Sequence, residues 1–240
     1  MKASSVILDA LKDMDNTGTL EAEKKMDLYA GKDIRMTADT HREENGQGHT
    51  TAISKRGAAS VTGKESSLTM TAGKDIHLQA ARISSAGDMT IAGKRQVELG
   101  TAVAEKDNRV TWDRSNDRRD STAMETGSTL TAGRNLTVEN GKEITDLEEH
   151  HRHKEKGLLS SKTTTTYDEV KRTDTTGSIV EGDTLTMTAG KDISLTGSVA
   201  ASTKETALSA GRNISIHAAE ETDKEIHKKQ VKKRGLIGSR

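Results

Sequence analysis

One short stretch of the sequence has residue types that bind nucleotides in other proteins. The residues GAASVTGKE, which begin at Gly57, approach a phosphate-binding loop. Their two glycines are separated by one residue more than that loop allows, and Glu65 takes the place of the hydroxyl that would bind magnesium. We therefore expect no nucleotide cofactor.

A second stretch has residue types that bind metals. The segment EEHHRH, residues 148–153, places carboxylates beside imidazoles, a combination that suits zinc. No second group of ligands is recognisable elsewhere in the chain. A solvated, charged segment explains these residues, and we predict no metal site.

Two further patterns concern nucleic acid and glycan chemistry. The basic cluster Lys228–Arg234 could contact phosphates, but acidic residues precede it and no aromatic side chain is available to stack on bases. Asn135 and Asn213 begin glycosylation sequons, but both lie in a repeated corner motif that gives them a structural role. We predict no nucleic-acid partner.

The composition limits what fold could position any of these groups. The 240 residues include 37 basic and 37 acidic side chains, so no net field steers the chain towards nucleic acid or an anionic membrane. The aromatic residues are only Tyr29, Trp112 and Tyr167, and Cys and Pro are absent. The first residues, MKASSVILDALKDMDN, predict neither a signal peptide nor a membrane span. A thin core built from aliphatic side chains is what remains.

One phrase recurs along the chain and indicates a repeat architecture. Its copies read MDLYAGKDIRM, LTMTAGKDIHL, MTIAGKRQVEL, STLTAGRNLTV, LTMTAGKDISL and TALSAGRNISI. Their glycines are spaced 42, 20, 40, 57 and 21 residues apart, which are multiples of about twenty. A degenerate earlier copy, ALKDM, has Leu11 in the place of the glycine.

Apolar residues alternate with polar ones inside each copy, which predicts half-buried strands. Leu68 and Met70 precede the glycine of one copy, and Ile76 and Leu78 follow it. The same positions one repeat later should stack on them in parallel; they are Met89, Ile91, Val97 and Leu99.

The phrase AGKD or AGRN predicts a corner between two strands. We expect its glycine to adopt a positive φ angle, and its Asp or Asn to hydrogen-bond the backbone of its own turn. The predicted structural corner residues are Gly31, Asp33, Gly73, Asp75, Gly93, Gly133, Asn135, Gly190, Asp192, Gly211 and Asn213. No catalytic or cofactor-binding residue is predicted.

Polar stretches interrupt this period. We predict a single β-solenoid segment over residues 1–240, all-β, with coils of about twenty residues. Residues 39–63, 102–126 and 146–182 are predicted to be polar inserts that leave it as loops or hairpins. Residues 220–240 read as the start of a further, truncated insert.

The corners, the flanking apolar pairs and the insert motif KEKGLLSS resemble the haemagglutinin repeats of two-partner-secretion exoproteins. That class contains filamentous haemagglutinins and contact-dependent growth-inhibition proteins. The resemblance implies a right-handed parallel β-helix in a secreted or cell-surface adhesin or toxin-delivery protein, where it acts as a filament that carries a distal domain. It also implies an outer-membrane transporter as partner, engaged by a region outside these residues.

Two other function classes stay open. The inserts could themselves bind a cell-surface receptor or glycan. Parallel β-helices also include polysaccharide-active enzymes, and stacked Asp33, Asp75 and Asp192 could imitate their acidic faces. Because such residues recur at every corner, whereas a catalytic site is a singular departure from a repeat, we predict that the chain is not an enzyme.

Overall fold

The structure, a computed structural model, describes residues 2–113, 116–140, 143–147, 165–218 and 222–230. Within these ranges every regular element is a β-strand, which confirms the all-β prediction. The strands are β1 (Lys2–Ala10), β2 (Met14–Asn16), β3 (Thr19–Ala30), β4 (Ile34–Asn45), β5 (Gly48–Arg56), β6 (Ala58–Val61), β7 (Ser67–Ala72), β8 (Asp75–Gln79), β9 (Arg82–Ser85), β10 (Asp88–Gly93), β11 (Gln96–Gly100), β12 (Ala102–Asp113), β13 (Asn116–Thr126), β14 (Thr129–Ala132), β15 (Asn135–Asn140), β16 (Glu143–Leu147), β17 (Thr165–Thr176), β18 (Ile179–Ala189), β19 (Asp192–Thr196), β20 (Val199–Ala210), β21 (Asn213–His217) and β22 (Thr222–Gln230).

Most of these strands stack in parallel, one repeat upon the next. The predicted register is confirmed: Leu68 pairs with Met89 and Met70 with Ile91. After the corner, β8 pairs with β11 in the same way. Alternating apolar residues therefore face inward at the same height in every repeat, which gives each strand a buried and a polar face.

Each repeat contributes to three strand positions, and we call one such pass a coil. In the second coil, β3 fills the first and second positions and the start of β4 fills the third. Each coil pairs only with its neighbours before and after it. The coils span residues 2–16, 19–37, 58–79, 82–100, 129–147, 179–196 and 199–217.

The core is a set of straight columns of aliphatic side chains. In the second strand position Met26, Leu68, Met89, Leu136 and Leu185 lie one above another, each at most 1% exposed. Leu, Ile, Val, Met and Ala fill the other inward positions. Because each coil is covered by two neighbours, a narrow interior excludes water without aromatic residues.

The excursions from the coils pair with one another. The outer part of β4 forms an antiparallel hairpin with β5, and β12 forms another with β13. These hairpins meet where β5 pairs with β12, and the series continues from β13 through β17 to β22. We call this continuous array the side sheet.

The three predicted inserts overlap the observed strands to different extents. Within 39–63, residues 58–61 form β6, whose Ala59 and Val61 are buried in the column. The stretch 102–126 coincides with the β12–β13 hairpin. Within 146–182, β17 lies in the side sheet and residues 179–182 already belong to the next coil. Residues 148–164 lie outside the described part of the chain.

Candidate functional site

The corner glycines allow successive coils to approach closely. A Cβ atom placed on Gly31, Gly73 or Gly211 would lie less than 3.0 Å from a backbone carbonyl oxygen of the preceding coil. Among the described residues, a positive φ occurs only at Gly197 and Ala80, so the predicted conformation of the corner glycines is wrong. Glycine is needed at these corners because it leaves room for a neighbouring backbone.

Two of the predicted corner glycines occupy different places. Gly93 is the last residue of β10 and pairs with Ala72, one position before the corner. Gly133 follows β14 and precedes β15, so its turn joins the first and second strand positions. A Cβ on Gly133 would also meet the backbone of the preceding coil, at Ala86. Gly190 lies at the expected corner, between β18 and β19.

The corner carboxylates link coils to each other, which corrects the expectation that they bind their own turn. Oδ1 of Asp33 accepts a hydrogen bond from the backbone N–H of Asp75, one coil further on, at 3.2 Å. Oδ1 of Asp192 accepts one from the N–H of Asn213 at 3.1 Å. A side chain from one coil thereby binds a backbone donor of the next coil.

Arginines add a second link between the same corners. Arg95 donates through Nε to Oδ1 of Asp75 at 2.7 Å, and Arg212 donates to Asp192 at 3.0 Å. The hydrogen bond from Arg95 holds the pKa of Asp75 below its usual value, and that from Arg212 does the same for the pKa of Asp192. The Asp75 side chain is only 3% exposed, so its charge depends on this partner.

The two sequon asparagines take part in the same links. The side-chain amide of Asn135 donates to Oδ1 of Asp88 at 3.2 Å, and that of Asn213 donates to Asp192 at 3.1 Å. Arg134 also reaches Asp88, at 2.9 Å. The structural role predicted for Asn at these corners therefore has a geometric basis.

One corner brings together side chains that could hold a cation. Ligand atoms of Asp33, Asp75 and His77 all lie within 4.8 Å of one another. Arg35 is 2.6 Å from Asp33, and Arg95 binds Asp75, so both carboxylates already have a cationic partner. The charge of the cluster is balanced by the protein itself, and we assign it no metal.

A column of serines was missed by the sequence reasoning. The N–H of Ala81 donates to Oγ of Ser128 at 3.0 Å, the N–H of Ser128 to Oγ of Ser178 at 3.2 Å, and the N–H of Ser178 to Oγ of Ser198 at 2.9 Å. Ser128 and Ser178 are fully buried. The signal was present as a Gly-Ser dipeptide that recurs before strands β14, β18 and β20.

The side sheet offers the largest departure from the repeat. A Cβ on Gly48 would lie less than 3.0 Å from the backbone of Asp107, so the first hairpin presses directly on the second. His49 Nε2 lies 3.6 Å from Oε2 of Glu105 across the same contact. The pairing is thus made by backbone contact as well as by polar side chains.

Three candidate motifs remain: the phosphate-loop-like stretch, the His-rich segment and the basic cluster. The GAASVTGKE stretch contains β6, whose residues are paired on both sides in the column, so it has no phosphate loop. The His-rich segment 148–153 lies outside the described residues. Of the basic cluster, residues 231–234 lie outside them, and so do the side chains of the rest of the cluster. In the part of the chain that the structure describes, no helix is long and apolar enough to cross a membrane.

The stacked parallel strands, inter-coil corners and paired inserts define an all-β repeat protein. Residues 157–238 match the family described as Hemagglutinin repeat. The chain is 26% identical, over 98% of its length, to the tRNA nuclease CdiA of Escherichia coli strain STEC_O31. It is 37% identical, over 46% of its length, to the 16S rRNA endonuclease CdiA of Enterobacter cloacae subsp. cloacae.

These matches cover 8% and 3% of the two CdiA proteins, so the chain spans less than a tenth of either. No solved structure matches the chain. The predicted resemblance is confirmed: residues 157–238 match the haemagglutinin repeat, and the chain is similar to these two CdiA proteins. The predicted location, that of a secreted cell-surface exoprotein, is confirmed by the same matches.

Proposed function

We propose that the chain forms a right-handed parallel β-helix and serves as a stalk segment of a large secreted exoprotein. The observation that carries the proposal is that each described coil pairs in parallel with the coil next to it along the chain. Such stacking extends a protein along one axis by one strand spacing, about 4.8 Å, for each coil that is added. The right hand is the one that parallel strand crossovers adopt almost without exception.

The corner chemistry also favours a structural role. The carboxylates that could imitate an acidic catalytic face are engaged by the next coil, as Asp75 is by Arg95 and Asp192 by Arg212. Lowered pKa values keep both carboxylates ionised and bonded, which is unsuited to proton transfer near neutral pH. We propose that the chain has no enzymatic activity of its own. The nuclease activities stated in the names of the relatives belong to those relatives.

The partners proposed for this segment belong to the exoprotein as a whole. We infer an outer-membrane two-partner-secretion transporter that exports it, and a distal domain that the stalk holds away from the producing cell. A stacked column suits export as an unfolded chain, because each coil can fold on the one before it.

Deleting one whole coil tests the stalk function. Ser178 and Ser198 are equivalent positions, each preceded by glycine, so removal of residues 179–198 restores a native Gly-Ser-Val junction. The shortened column should stay folded and lose one strand spacing, about 4.8 Å. Removal of residues 179–188 alone is the control, because it leaves half a coil and should disrupt stacking.

The functional readout is adhesion or growth inhibition by bacteria that display an exoprotein containing this segment. A stalk should tolerate the whole-coil deletion with little loss of either activity. If the shortened column folds and is displayed but both activities disappear, the stalk proposal is wrong.

A second candidate function is direct binding through the side sheet. Hairpins from separate coils form one continuous sheet, whereas a plain stalk needs only the coils. A recess of about 190 Å³ lies beside it, lined by Thr37, His77, Leu78, Gln79, Glu98, Gly100 and Thr101. Replacing residues 39–56 by a short turn should abolish adhesion if the side sheet binds a receptor or glycan, and should leave it unchanged if the segment is only a stalk.

A further inference from the structure

Two asparagines of the chain are followed by glycine, a dipeptide that favours deamidation. The sequence has seven asparagines, and only Asn45 and Asn140 have this neighbour. Glycine favours the reaction because it has no Cβ atom to hinder the approach of its backbone nitrogen to the asparagine side chain. Both asparagines stand in the tripeptide Glu-Asn-Gly, so a difference between them in the folded chain must come from the structure.

Asn45 lies at the exposed tip of the first hairpin. It is the last residue of β4, and Gly46 begins the turn to β5. Apart from its chain neighbours, no atom lies within 4 Å of a Cβ placed on Gly46. Oδ1 of Asn45 accepts a hydrogen bond from the N–H of Gln47 at 2.9 Å. The side-chain amide therefore lies against the backbone of its own turn, in open surroundings.

Asn140 lies in the column instead. It is the last residue of β15 and pairs with Gly93 in the coil before and with Ala189 in the coil after. Closure of an imide ring requires the asparagine backbone to rotate, which here would disrupt pairing with both coils. Within the described chain Asn45 pairs with Gly48 alone, across its own turn. Opening an exposed turn costs less free energy than opening a paired core, so the stack protects Asn140.

We propose that Asn45 is a site of spontaneous deamidation that loosens, over time, the pairing of the first hairpin with the second. The backbone nitrogen of Gly46 forms a bond to Cγ of Asn45, and the bond from Cγ to Nδ2 breaks. The proton of the Gly46 N–H leaves with Nδ2 as ammonia. Water then opens the cyclic imide at either carbonyl, which gives aspartate, or isoaspartate with an additional carbon atom in the main chain.

Both products alter the contact between β5 and β12. The carbonyl of Gln47 accepts a hydrogen bond from the N–H of Arg109 at 2.6 Å, and a Cβ on Gly48 would collide with the backbone of Asp107, so the turn has little room to shift. A new carboxylate adds negative charge beside Glu44. Isoaspartate also lengthens the turn and displaces Gln47. We expect conversion to loosen this pairing while the coils stay stacked.

Peptide mapping by mass spectrometry tests the proposal on the full chain, kept at neutral pH and sampled over time. Conversion raises the mass of the peptide that contains the asparagine, and electron-based fragmentation distinguishes isoaspartate from aspartate. In the folded chain Asn45 should convert several times faster than Asn140. In urea the two should convert at similar rates, because both stand in the same tripeptide and the fold no longer distinguishes them.

Gly46→Ala is the matched variant, because the open space around Gly46 accommodates the added Cβ atom. That atom hinders the attacking nitrogen, so Asn45 should convert several times more slowly. Amide exchange in β5 and β12 should be faster in the aged parent chain than in the fresh chain, and unchanged in the aged variant. The proposal is overturned if Asn45 and Asn140 convert equally fast in the folded chain, if the variant converts as fast as the parent, or if conversion leaves exchange in β5 and β12 unchanged.

Discussion

Substitution of a corner glycine should break contact between two coils, and Gly73→Ala is the sharpest case. The new Cβ atom would have to move by about 1 Å to reach an ordinary separation from the carbonyl oxygen of Gly31. Such a shift stretches the bonds from Gly73 N to Ala30 O and from Lys74 N to Lys32 O, both 2.8 Å, beyond the usual limit of ~3.2 Å. Loss of two bonds worth ~0.5–1.5 kcal/mol each destabilises the native state by about 1–3 kcal/mol.

The assay is urea unfolding followed by circular dichroism. Replacing glycine by alanine also restricts the unfolded chain, which offsets the loss by ~0.4–1 kcal/mol. The net loss should lower the midpoint by about 0.5–1 M. Gly18→Ala is the control, because a Cβ there makes only an ordinary contact, 3.6 Å from Oδ1 of Asn16 two residues earlier. Its midpoint should stay level or rise slightly; equal losses in the two variants would refute the close-approach argument.

Three further predictions use other contacts. The lowered pKa of Asp75 means that its ion pair with Arg95 stabilises the column fully above the unfolded-state pKa of ~3.9. This stabilisation is lost as the pH falls through the lower pKa of the folded state. Arg95→Gln should therefore reduce stability most near neutral pH and least in acid, measured as urea midpoints across pH. Ser128→Ala should destabilise the chain by ~1–3 kcal/mol because it leaves a buried backbone N–H without its acceptor; a smaller change in the urea midpoint would mean that the serine column is incidental. Gly48→Ala should accelerate amide exchange in β5 and β12 while Gly46→Ala, which has open space, should not; similar rates in both would show that the hairpins do not pair closely.

The repeat and its strand register could be predicted from the sequence because they follow from one-dimensional periodicity. Alternation of Leu68 and Met70, repeated 21 residues later, fixes which side chains face inward and which strands are neighbours. Stacking every coil on the next one leaves little freedom for any other pairing. For this reason a chain poor in apolar residues still had a predictable core.

The position of each corner could not be predicted from its motif. The AGRN phrase at Gly133 reads like the AGKD phrase at Gly73, but it joins the first and second strand positions instead of the second and third. Both turns need a residue without a Cβ atom beside the preceding coil, so both select the same short motif. The positive φ predicted for the corner glycines was wrong for a related reason: the close approach between two coils cannot be seen in the sequence of a single repeat.

The side sheet was unpredictable for a different reason. Each insert is separated in sequence from the one it pairs with, and polar strands carry a weak hydrophobic pattern. β5 and β12 meet only because their coils bring both hairpins out on the same side of the column. The contact is a consequence of the stack, so it could be deduced only after the order of coils was known.

The ladder of charges gives the coils an order as well as a register. A corner aspartate binds the arginine of the following coil in Asp75–Arg95, Asp192–Arg212 and Asp88–Arg134. Because the acid belongs to the earlier coil and the base to the later one, reversing two coils would place like charges together or leave a buried carboxylate unpaired. The aliphatic core cannot specify the order of the coils, since Leu, Ile and Met occupy equivalent inward positions. The polar corners therefore specify which coil follows which.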